Sequence, residues 1–359
     1  MPEVNHKNSY RVIGIMSGTS LDGVDIAYCE FNASGDKWFY KIIEAETIPY
    51  NQTWLVRLKE LHKQPAFLFP KTDAFYGKYL GQLINTFIAK HKIQVDFIAS
   101  HGHTIFHQPD KGFTAQIGSG ASIYAETGIP TINDFRVVDV ALGGQGAPLV
   151  PIGDELLFNQ FEGCLNLGGF SNISFKKDNQ RIAFDISPCN IIMNPVANLL
   201  GFEFDDEGRI ASEGKVNEML LEHLNSLSFY KQLPPKSLGI EWVHEHFWST
   251  VKQFEIQPKD LLATLNKHIA HQIIQVIKSN NLKTVLTTGG GSFNNTLVNE
   301  INAQTRDTLV IPDKHLVNYK EALIFGFLGV LRLRNTNNSL MSITGASKNS
   351  IGGAVWGTS

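Results

Sequence analysis

The sequence is poor in cysteine and in long apolar runs, and each shortage excludes a class of protein. Its three cysteines, Cys29, Cys164 and Cys189, are far apart and lack the spacing of a metal site. An odd number also argues against a disulfide framework, so we expect reduced thiols in a cytoplasmic protein. The apolar run at residues 322–331 is shorter than the roughly 20 residues that a membrane span needs, and it predicts a buried helix instead.

The sequence also lacks a strong charge of either sign. A formal net charge of −3 makes a broad nucleic-acid surface unexpected. The first residues, MPEVNHKNSY, have no apolar core of the kind found in secretion signals, so we expect no membrane partner. What is present is 43% hydrophobic and 18% charged residues in a chain of 359, which is typical of a globular protein with two domains.

Strand-like and helical patterns alternate along the chain, which predicts the α/β class. The predicted strands are residues 12–16, 24–31, 95–99 and 285–288, with a histidine-bearing loop after the third. The predicted helices are residues 80–90, 262–277 and 319–334.

The first candidate site is the turn in RVIGIMSGTSLDGVDIAYCEF, residues 11–31. Backbone N–H groups that converge in a glycine-containing turn bind anions, and nearby hydroxyls add donors. The Walker signature is missing, and a strand follows where a dinucleotide site needs a helix. A phosphate site is therefore predicted, with a plain polar hairpin as the alternative. The candidate residues are Gly18, Thr19, Ser20, Leu21, Asp22, Gly23, Val24 and Asp25.

Two further glycine-rich segments are candidate ligand-binding sites for similar reasons. LNLGGFSNIS predicts a second hairpin with a phosphate-binding turn, and two similar hairpins suggest two related domains. TTGGGSFNN lies between a strand and a helix, where glycines allow a ligand to approach the backbone; a flexible connection is the alternative. The candidate residues are Asn166, Gly168, Gly169, Ser171 and Asn172 in the hairpin, and Gly289, Gly290, Gly291 and Asn294 in the other segment.

Ionisable residues near predicted strand ends are the candidates for chemistry. Asp185 in AFDISPCN is a general base, a magnesium ligand or a turn-capping residue. His101 and His103 have the H-x-H spacing of some zinc hydrolases, although unligated polar loop residues are the alternative. Arg136 and Asp139 either orient a polar ligand or pair with each other to brace a loop.

These segments together resemble the anhydro-N-acetylmuramic acid kinase family over residues 13–353. The matching motifs are GIMSGTSLDGVD, SHGHTIFHQP, QIGSGASIYAETGIPTINDFRVVDVALGGQGAPLVP, LNLGGFSNIS, TTGGGSFN and SITGAS. The resemblance implies two related ribonuclease H-like α/β domains around a cleft, as in actin-like ATPases and sugar kinases. We expect one domain at residues 1–134, completed by about 340–359, and the other at 135–339.

The resemblance also implies a reaction. An enzyme of this family uses ATP, Mg²⁺ and water to open 1,6-anhydro-N-acetylmuramic acid and to phosphorylate O6, in peptidoglycan recycling and amino sugar catabolism. The resemblance implies Asp185 as the base and a homodimer. Many members of the superfamily carry a metal-holding aspartate on the first strand, but residues 14–17 of this chain have none, so Asp185 and Asp22 are the candidate magnesium ligands. The residues implied on the sugar side are His101, Gln116, Arg136, Asp139 and Glu321.

The chain departs from the family pattern around the implied base. Ile186, Ser187 and Cys189 replace the usual flanking residues, and Ser187 stands where glycine allows a positive φ. His103 stands where glutamine is usual. The departures around Asp185 keep open the alternative of a non-catalytic nucleotide or sugar sensor, and the H-x-H spacing of His101 and His103 keeps open a metal-dependent hydrolase.

Overall fold

The computed structural model describes residues 7–18 and 21–357. The chain divides into two compact units, of which unit 1 lies within Met1–Leu157 and Tyr319–Ser359 and unit 2 is Phe158–Asn318. These limits differ from the predicted boundaries after residues 134 and 339. The second limit differs because the apolar residues 322–331 pack onto the sheet of unit 1, so the chain returns to that unit earlier than expected.

The strands follow one another in the described part of the chain with short loops or helices between them. They are β1 (Ser9–Ser17), β2 (Val24–Ser34), β3 (Lys37–Ile48), β4 (Phe97–Gln108), β5 (Phe113–Ile117), β6 (Thr131–Asn133), β7 (Gly163–Leu167), β8 (Phe170–Lys177), β9 (Gln180–Pro188), β10 (Val285–Thr288), β11 (Leu309–Val310) and β12 (Ala354–Trp356).

The α-helices range from single turns to long amphipathic elements. They are α1 (Gln52–Glu60), α2 (Leu68–His91), α3 (Gly120–Thr127), α4 (Val137–Ala141), α5 (Val150–Leu157), α6 (Asn190–Leu199), α7 (Arg209–Glu213), α8 (Glu218–Asn225), α9 (Ile240–Trp242), α10 (Trp248–Val251), α11 (Pro258–Ser279), α12 (Asn295–Thr305), α13 (Lys314–Leu333) and α14 (Met341–Thr344). No helix among the described residues is both long and apolar enough to cross a membrane.

The two sheets repeat one strand order. Unit 1 has the order β3-β2-β1-β4-β6, extended by β12 and with β5 paired to β4, and unit 2 has β9-β8-β7-β10-β11. In each unit the first three strands form antiparallel neighbours, and the last two run parallel to the central one. This repetition confirms the predicted class of two related ribonuclease H-like α/β units.

Close backbone approach holds α13 against the sheet of unit 1. A Cβ atom at Gly14 of β1 would lie 1.9 Å from the carbonyl oxygen of Ala322, so only glycine fits there. Gly326 stacks on Gly14 in turn, and Phe327 packs 5.4 Å from Phe31. The predicted buried helix at residues 322–331 is therefore confirmed.

Unit 2 has its core beneath the long helix α11. Pro258 and Asp260 lie in its first turn and Lys278 in its last, as the helix dipole favours. Its apolar stripe, which includes Leu265 and Ile269, packs with the inward side chains of β7, β8 and β9. The helix predicted at residues 262–277 is confirmed and longer.

The histidines after the third predicted strand lie elsewhere than predicted. His101, His103 and His107 belong to β4 and not to a loop, because β4 pairs with β5 through this stretch. His101 and His103 are both buried, whereas a loop would have exposed them.

Candidate functional site

The first glycine-rich turn joins β1 and β2, which confirms the predicted hairpin. Thr19 and Ser20, two of its predicted donors, lie outside the described residues. The N–H of Leu21 donates to the Gly18 carbonyl at 3.3 Å, and Leu21 has a φ of 64°. A Cβ atom at Gly23 would lie 2.6 Å from a backbone oxygen of β3, so this end of the turn requires glycine.

Two aspartates flank the end of this turn. Asp22 is exposed, and Asp25 at the start of β2 is half-buried. The Thr47 hydroxyl donates to Asp25 Oδ1 at 2.6 Å. Burial raises the pKa of Asp25, and the nearby Asp22 charge raises it further, although the Thr47 hydrogen bond opposes both.

A buried polar cluster lies beneath the turn, at the end of β1. The Ser17 hydroxyl contacts the Tyr50 hydroxyl, accepts from the Tyr76 hydroxyl at 2.8 Å and lies 3.0 Å from His103 Nδ1. Burial lowers the pKa of His103 to about 4, so the imidazole is neutral at neutral pH. His103 therefore contacts the Ser17 side chain at the end of β1 as a neutral imidazole. Sequence reasoning missed Tyr50 and Tyr76, because they come from residues distant in the chain.

Arg136 is clamped between a histidine and a backbone carbonyl. His101 Nδ1 donates to the Gly102 carbonyl at 2.9 Å, so its Nε2 is the acceptor for Arg136 Nε and Nη2 at 3.1 and 2.9 Å. Arg136 Nη1 donates to the Gly146 carbonyl at 2.6 Å. Burial and Arg136 together hold the pKa of His101 well below its usual value. Burial lowers the pKa of Arg136 only to about 10, so it keeps its charge.

Glu321 and Gln116 lie in the same unit and offer acceptors. Glu321 is an exposed residue, but burial of its carboxylate by the surrounding protein raises its pKa. The positive charge of Arg136 opposes this rise, and the negative charge of Asp25 adds to it. Gln116 Nε2 donates to the Thr114 hydroxyl at 2.8 Å. Its Oε1 is buried and accepts no hydrogen bond within the described residues, which leaves an acceptor for a ligand.

Asp139 differs from these residues because its carboxylate is already occupied. It is 1% exposed, and its oxygens accept from Gly146 N, Ser339 Oγ and Thr344 Oγ1 at 2.6–2.8 Å. Across the described ranges 7–18 and 21–357, no ion pair within 4.0 Å joins it to Arg136. The alternative of an Arg136–Asp139 pair is therefore not found, and the Asp139 carboxylate braces the loop before Pro148 through other donors.

The second glycine turn, between β7 and β8, is confirmed as a hairpin. The Gly169 carbonyl accepts from Cys189 N at 2.8 Å, and the Gly168 carbonyl accepts from Asn190 N at 3.1 Å. The N–H groups of Gly168 and Gly169 donate to no backbone carbonyl of the described chain. The carbonyl groups of the turn thus accept hydrogen bonds, while its two glycine N–H groups remain available to bind an anion.

Asp185 lies within β9, directly opposite Asn172 of the neighbouring strand β8, rather than after a strand end as predicted. Its N–H donates to the Lys236 carbonyl at 3.0 Å, and its Oδ2 accepts from Leu238 N at 2.8 Å. Its Oδ1 has no protein partner in the part of the chain that the structure describes. Burial raises the pKa of Asp185, and the Leu238 hydrogen bond opposes the rise.

Ser187 does not have the positive φ that its glycine-like position suggested. A bulge opposite Ser171 and Asn172 carries the strand past Ile186 without a left-handed residue. The Ser187 hydroxyl donates to the Pro188 carbonyl at 3.0 Å and contacts Ser171 Oγ at 3.1 Å. The departure from the family pattern is therefore accommodated without strain.

The third glycine segment packs against the second turn. Gly289 has a φ of 84°, and a Cβ atom there would lie 2.5 Å from Asn166 Oδ1. A Cβ atom at Gly291 would lie 2.9 Å from the Leu167 backbone oxygen. The Asn294 side chain caps α12 by accepting from Leu297 N at 2.9 Å, so it is already engaged by the protein.

Unit 2 thus brings together three segments that are far apart in sequence, namely the turn of residues 166–172, the strand segment of 185–190 and the glycine segment of 289–294. Asn190 joins the first two, because its Nδ2 donates to the Leu167 carbonyl at 3.3 Å, and Gly291 of the third segment packs against the same residue. Sequence reasoning missed Asn190 as a site residue, although it belongs to the motif around Asp185. It also missed the loop at Lys236 and Leu238, which has no pattern that indicates a role.

A zinc centre has no support within the described residues. They contain no group of three or more histidine, cysteine, aspartate or glutamate side chains that could hold a metal ion. His101, one of the two proposed ligands, uses its only free lone pair to accept from the Arg136 cation. Both nitrogens of His101 are thus engaged, which removes the zinc interpretation.

A family model described as anhydro-N-acetylmuramic acid kinase matches residues 10–358. The chain belongs to this family. A kinase of that name from Hydrogenovibrio crunogenus is 34% identical, with 96% of this chain and 97% of the relative covered. Another from Caldanaerobacter subterraneus subsp. tengcongensis is 32% identical, with 96% of each covered. As a member of the anhydro-N-acetylmuramic acid kinase family, the chain is an enzyme of the phosphotransferase class.

One solved structure shows a distant resemblance to this kinase. An activator of 2-hydroxyisocaproyl-CoA dehydratase from Clostridium difficile with bound ADPNP matches with a TM-score of 0.44 and 11% identity, covering 90% of this chain and 97% of the other. A likeness at this level carries no conclusion about function.

Proposed function

We propose that this kinase opens the 1,6-anhydro bridge of 1,6-anhydro-N-acetylmuramic acid and phosphorylates O6, giving N-acetylmuramic acid 6-phosphate and ADP. O6 is an ether oxygen and has no proton to lose. Water must therefore attack the anomeric carbon while the C1–O6 bond breaks, and O6 takes the γ-phosphoryl group from ATP as the bond to ADP breaks. The proton of the attacking water needs a base. The product is a phosphorylated amino sugar for peptidoglycan recycling and amino sugar catabolism.

Asp185 is the residue that we assign as this base. The observation that supports the assignment is its divided carboxylate: Oδ2 is fixed by Leu238 N, and Oδ1 has no partner in the described chain. One oxygen thus orients the group, and the other is left to hold a water. The raised pKa of Asp185 makes it a stronger base than an exposed aspartate.

We assign the phosphates of ATP to the glycine turns. In unit 2, the free N–H groups of Gly168 and Gly169 support this assignment. In unit 1, we assign Gly18–Asp25, and the nucleoside side goes to Gly289–Asn294 in unit 2. Mg²⁺ typically binds to one or two carboxylates together with phosphates and waters, so isolated carboxylates fit it. Since Asp185 is assigned to the water, exposed Asp22 is the carboxylate that we propose for Mg²⁺, which neutralises phosphate charge when bound.

The sugar is assigned to His101, Gln116, Arg136 and Glu321 of unit 1. Each Nη nitrogen of Arg136 carries a further N–H beyond the bonds to His101 and Gly146, and a guanidinium fork suits the acid group of the substrate. The unpartnered Oε1 of Gln116 and the carboxylate of Glu321 supply acceptors for sugar hydroxyls or the acetamido N–H. The homodimer and the cytoplasmic location stay predictions from the family resemblance.

Turnover in water enriched in oxygen-18 tests the proposed route. Attack at the anomeric carbon puts one label into the promptly quenched sugar phosphate, at C1, and none into its phosphoryl group. Label in inorganic phosphate instead would mean that water attacks ATP directly, and the proposed bridge opening would be wrong. A reaction without anhydro sugar gives the background ATP hydrolysis.

A further inference from the structure

The C-terminal motif SITGAS, residues 342–347, has no role in the reaction described so far. We propose that Thr344, assisted by Ser339, is a positioning residue that sets the orientation of the Arg136 guanidinium through the Asp139 carboxylate and the Gly146 backbone. This inference rests on the proposed function, in which Arg136 binds the sugar. It also gives Asp139 the task of holding Arg136 in place rather than touching the sugar.

The first step joins the C-terminal segment to Asp139. The hydroxyls of Ser339 and Thr344 both donate to Asp139 Oδ1, at 2.6 and 2.8 Å. All three side chains are buried, so water cannot substitute for either donor. Thr344 is the last residue of α14, and Gly345 ends that helix in the left-handed conformation with a φ of 74°. The helix end thus fixes the backbone of Thr344, from which its hydroxyl reaches Asp139.

The second step joins Asp139 to the loop at Gly146. Asp139 Oδ2 accepts from Gly146 N at 2.8 Å. The residue before it, Gln145, donates its N–H to the Thr344 carbonyl at 2.8 Å. Thr344 therefore holds the loop twice, directly through its main chain and indirectly through its side chain and Asp139. With these N–H groups fixed and Gly146 at a φ of 66°, the direction of the Gly146 carbonyl is also fixed.

The third step joins Gly146 to the guanidinium. The Gly146 carbonyl accepts from Arg136 Nη1 at 2.6 Å, while His101 Nε2 accepts from Nε and Nη2. A planar fork held at all three nitrogens cannot rotate about its last bond. If the carbonyl shifts, the His101 contact remains as the single hinge, and the outward N–H groups of Arg136 change direction. The charge of Arg136 is unaffected, so the expected consequence is weaker sugar binding rather than loss of the phosphoryl transfer machinery.

The experiment compares Thr344→Val, which removes the hydroxyl at similar volume, with Thr344→Ser, which keeps it. Ser347→Ala, an exposed serine in the same segment, is the matched control. We expect Thr344→Val to raise KM for the anhydro sugar roughly tenfold, the value of one hydrogen bond to a charged group. KM for ATP and the values for Thr344→Ser and Ser347→Ala remain near those of the unchanged protein. Ser339→Ala gives a second measurement, with a smaller rise, should Thr344→Val fold poorly.

A second variant, Arg136→Lys, separates a failure of this inference from a failure of the proposed function. Arg136→Lys keeps the charge but loses the fork, so the Thr344→Val effect on sugar KM should largely disappear when the two are combined. Unchanged sugar KM in folded Thr344→Val, or equal rises in the KM values for sugar and ATP, would overturn the positioning role. Unchanged sugar KM in Arg136→Lys alone would overturn the assignment of Arg136 to the sugar, and the positioning role with it.

Discussion

Replacing Asp185 by asparagine is the perturbation that most sharply separates catalysis from folding in this kinase. Asparagine has nearly the same shape, and its Oδ1 can still accept from Leu238 N, at the 2.8 Å contact that orients the side chain. The amide nitrogen then stands where the free Oδ1 stood, and it has no lone pair for the water's proton. A positioned general base contributes typically ~10²–10⁴-fold, so we expect kcat to fall by that factor, or about 3–5 kcal/mol in activation free energy.

The same structure predicts that Asp185→Asn is not destabilising. Burial raises the pKa of Asp185, so holding its ionised carboxylate costs free energy in the folded protein relative to the unfolded chain. Removing the charge therefore leaves the free energy of unfolding unchanged or slightly higher. Asp178→Asn is the matched control, because Asp178 is exposed in the turn at the far end of the β8–β9 hairpin and has a φ of 49°, which asparagine tolerates. We expect full activity from that control.

The assay is ADP release coupled to a chromogenic reaction, with anhydro sugar and ATP both saturating, together with calorimetric ADP binding and thermal unfolding. In the unchanged protein, kcat should fall on the acid side of a pKa above 3.8, the ordinary value for aspartate. The Asp185→Asn variant should lose this acid limb while still binding ADP. Turnover within a few-fold of the unchanged protein, with the acid limb intact, would refute the assignment of the base.

Three further predictions concern stability. Gly289→Ala should lower the free energy of unfolding by about 2–4 kcal/mol in chemical denaturation, because a positive φ and a close contact both penalise a Cβ there, whereas Gly290→Ala, with nothing closer than 3.9 Å, should lower it by under about 1 kcal/mol. Burial in β4 and in α11 lowers the pKa values of His103 and His268 to about 4 and about 3, so both are neutral when folded and protonate on unfolding below pH 6.5. Just below pH 6.5, stability should therefore fall by up to ~1.4 kcal/mol per pH unit for each histidine. At lower pH, carboxylates with raised pKa values, such as Asp185, take up protons in the folded protein and oppose the fall, so a flat profile just below pH 6.5 is the result that would contradict the burial of the histidines. Ser187→Gly should cost about 1–2 kcal/mol without raising kcat, and a gain in kcat would show that the serine impairs the site.

The sequence predicts the glycine turns well because their requirement is local. Each hairpin turn needs glycine and hydroxyl residues within a few consecutive positions, such as Gly168 and Gly169, so the local sequence predicts it. The structure confirms both hairpins. The buried helix at residues 322–331 is also predicted from local sequence, because burial removes its continuous apolar side chains from water.

Long-range pairing explains what the sequence does not predict. The β4 histidines look like loop residues until β5, which follows them, pairs with their strand. The occupied carboxylate of Asp139 depends on Ser339 and Thr344, about 200 positions away, and no local pattern indicates that contact. Likewise, the backbone donor to Asp185 comes from Leu238, in a loop that has no motif.

The most direct test of the account is ADP release by the purified kinase with 1,6-anhydro-N-acetylmuramic acid, measured beside glucose and N-acetylglucosamine. The account predicts one ADP per anhydro sugar consumed, a sugar 6-phosphate with a free anomeric hydroxyl, and only background release with the two hexoses. ADP release with the hexoses alone would be compatible with the sugar-kinase fold but would show that the proposed substrate is wrong. No release above background with any sugar would contradict catalysis and favour a sensor.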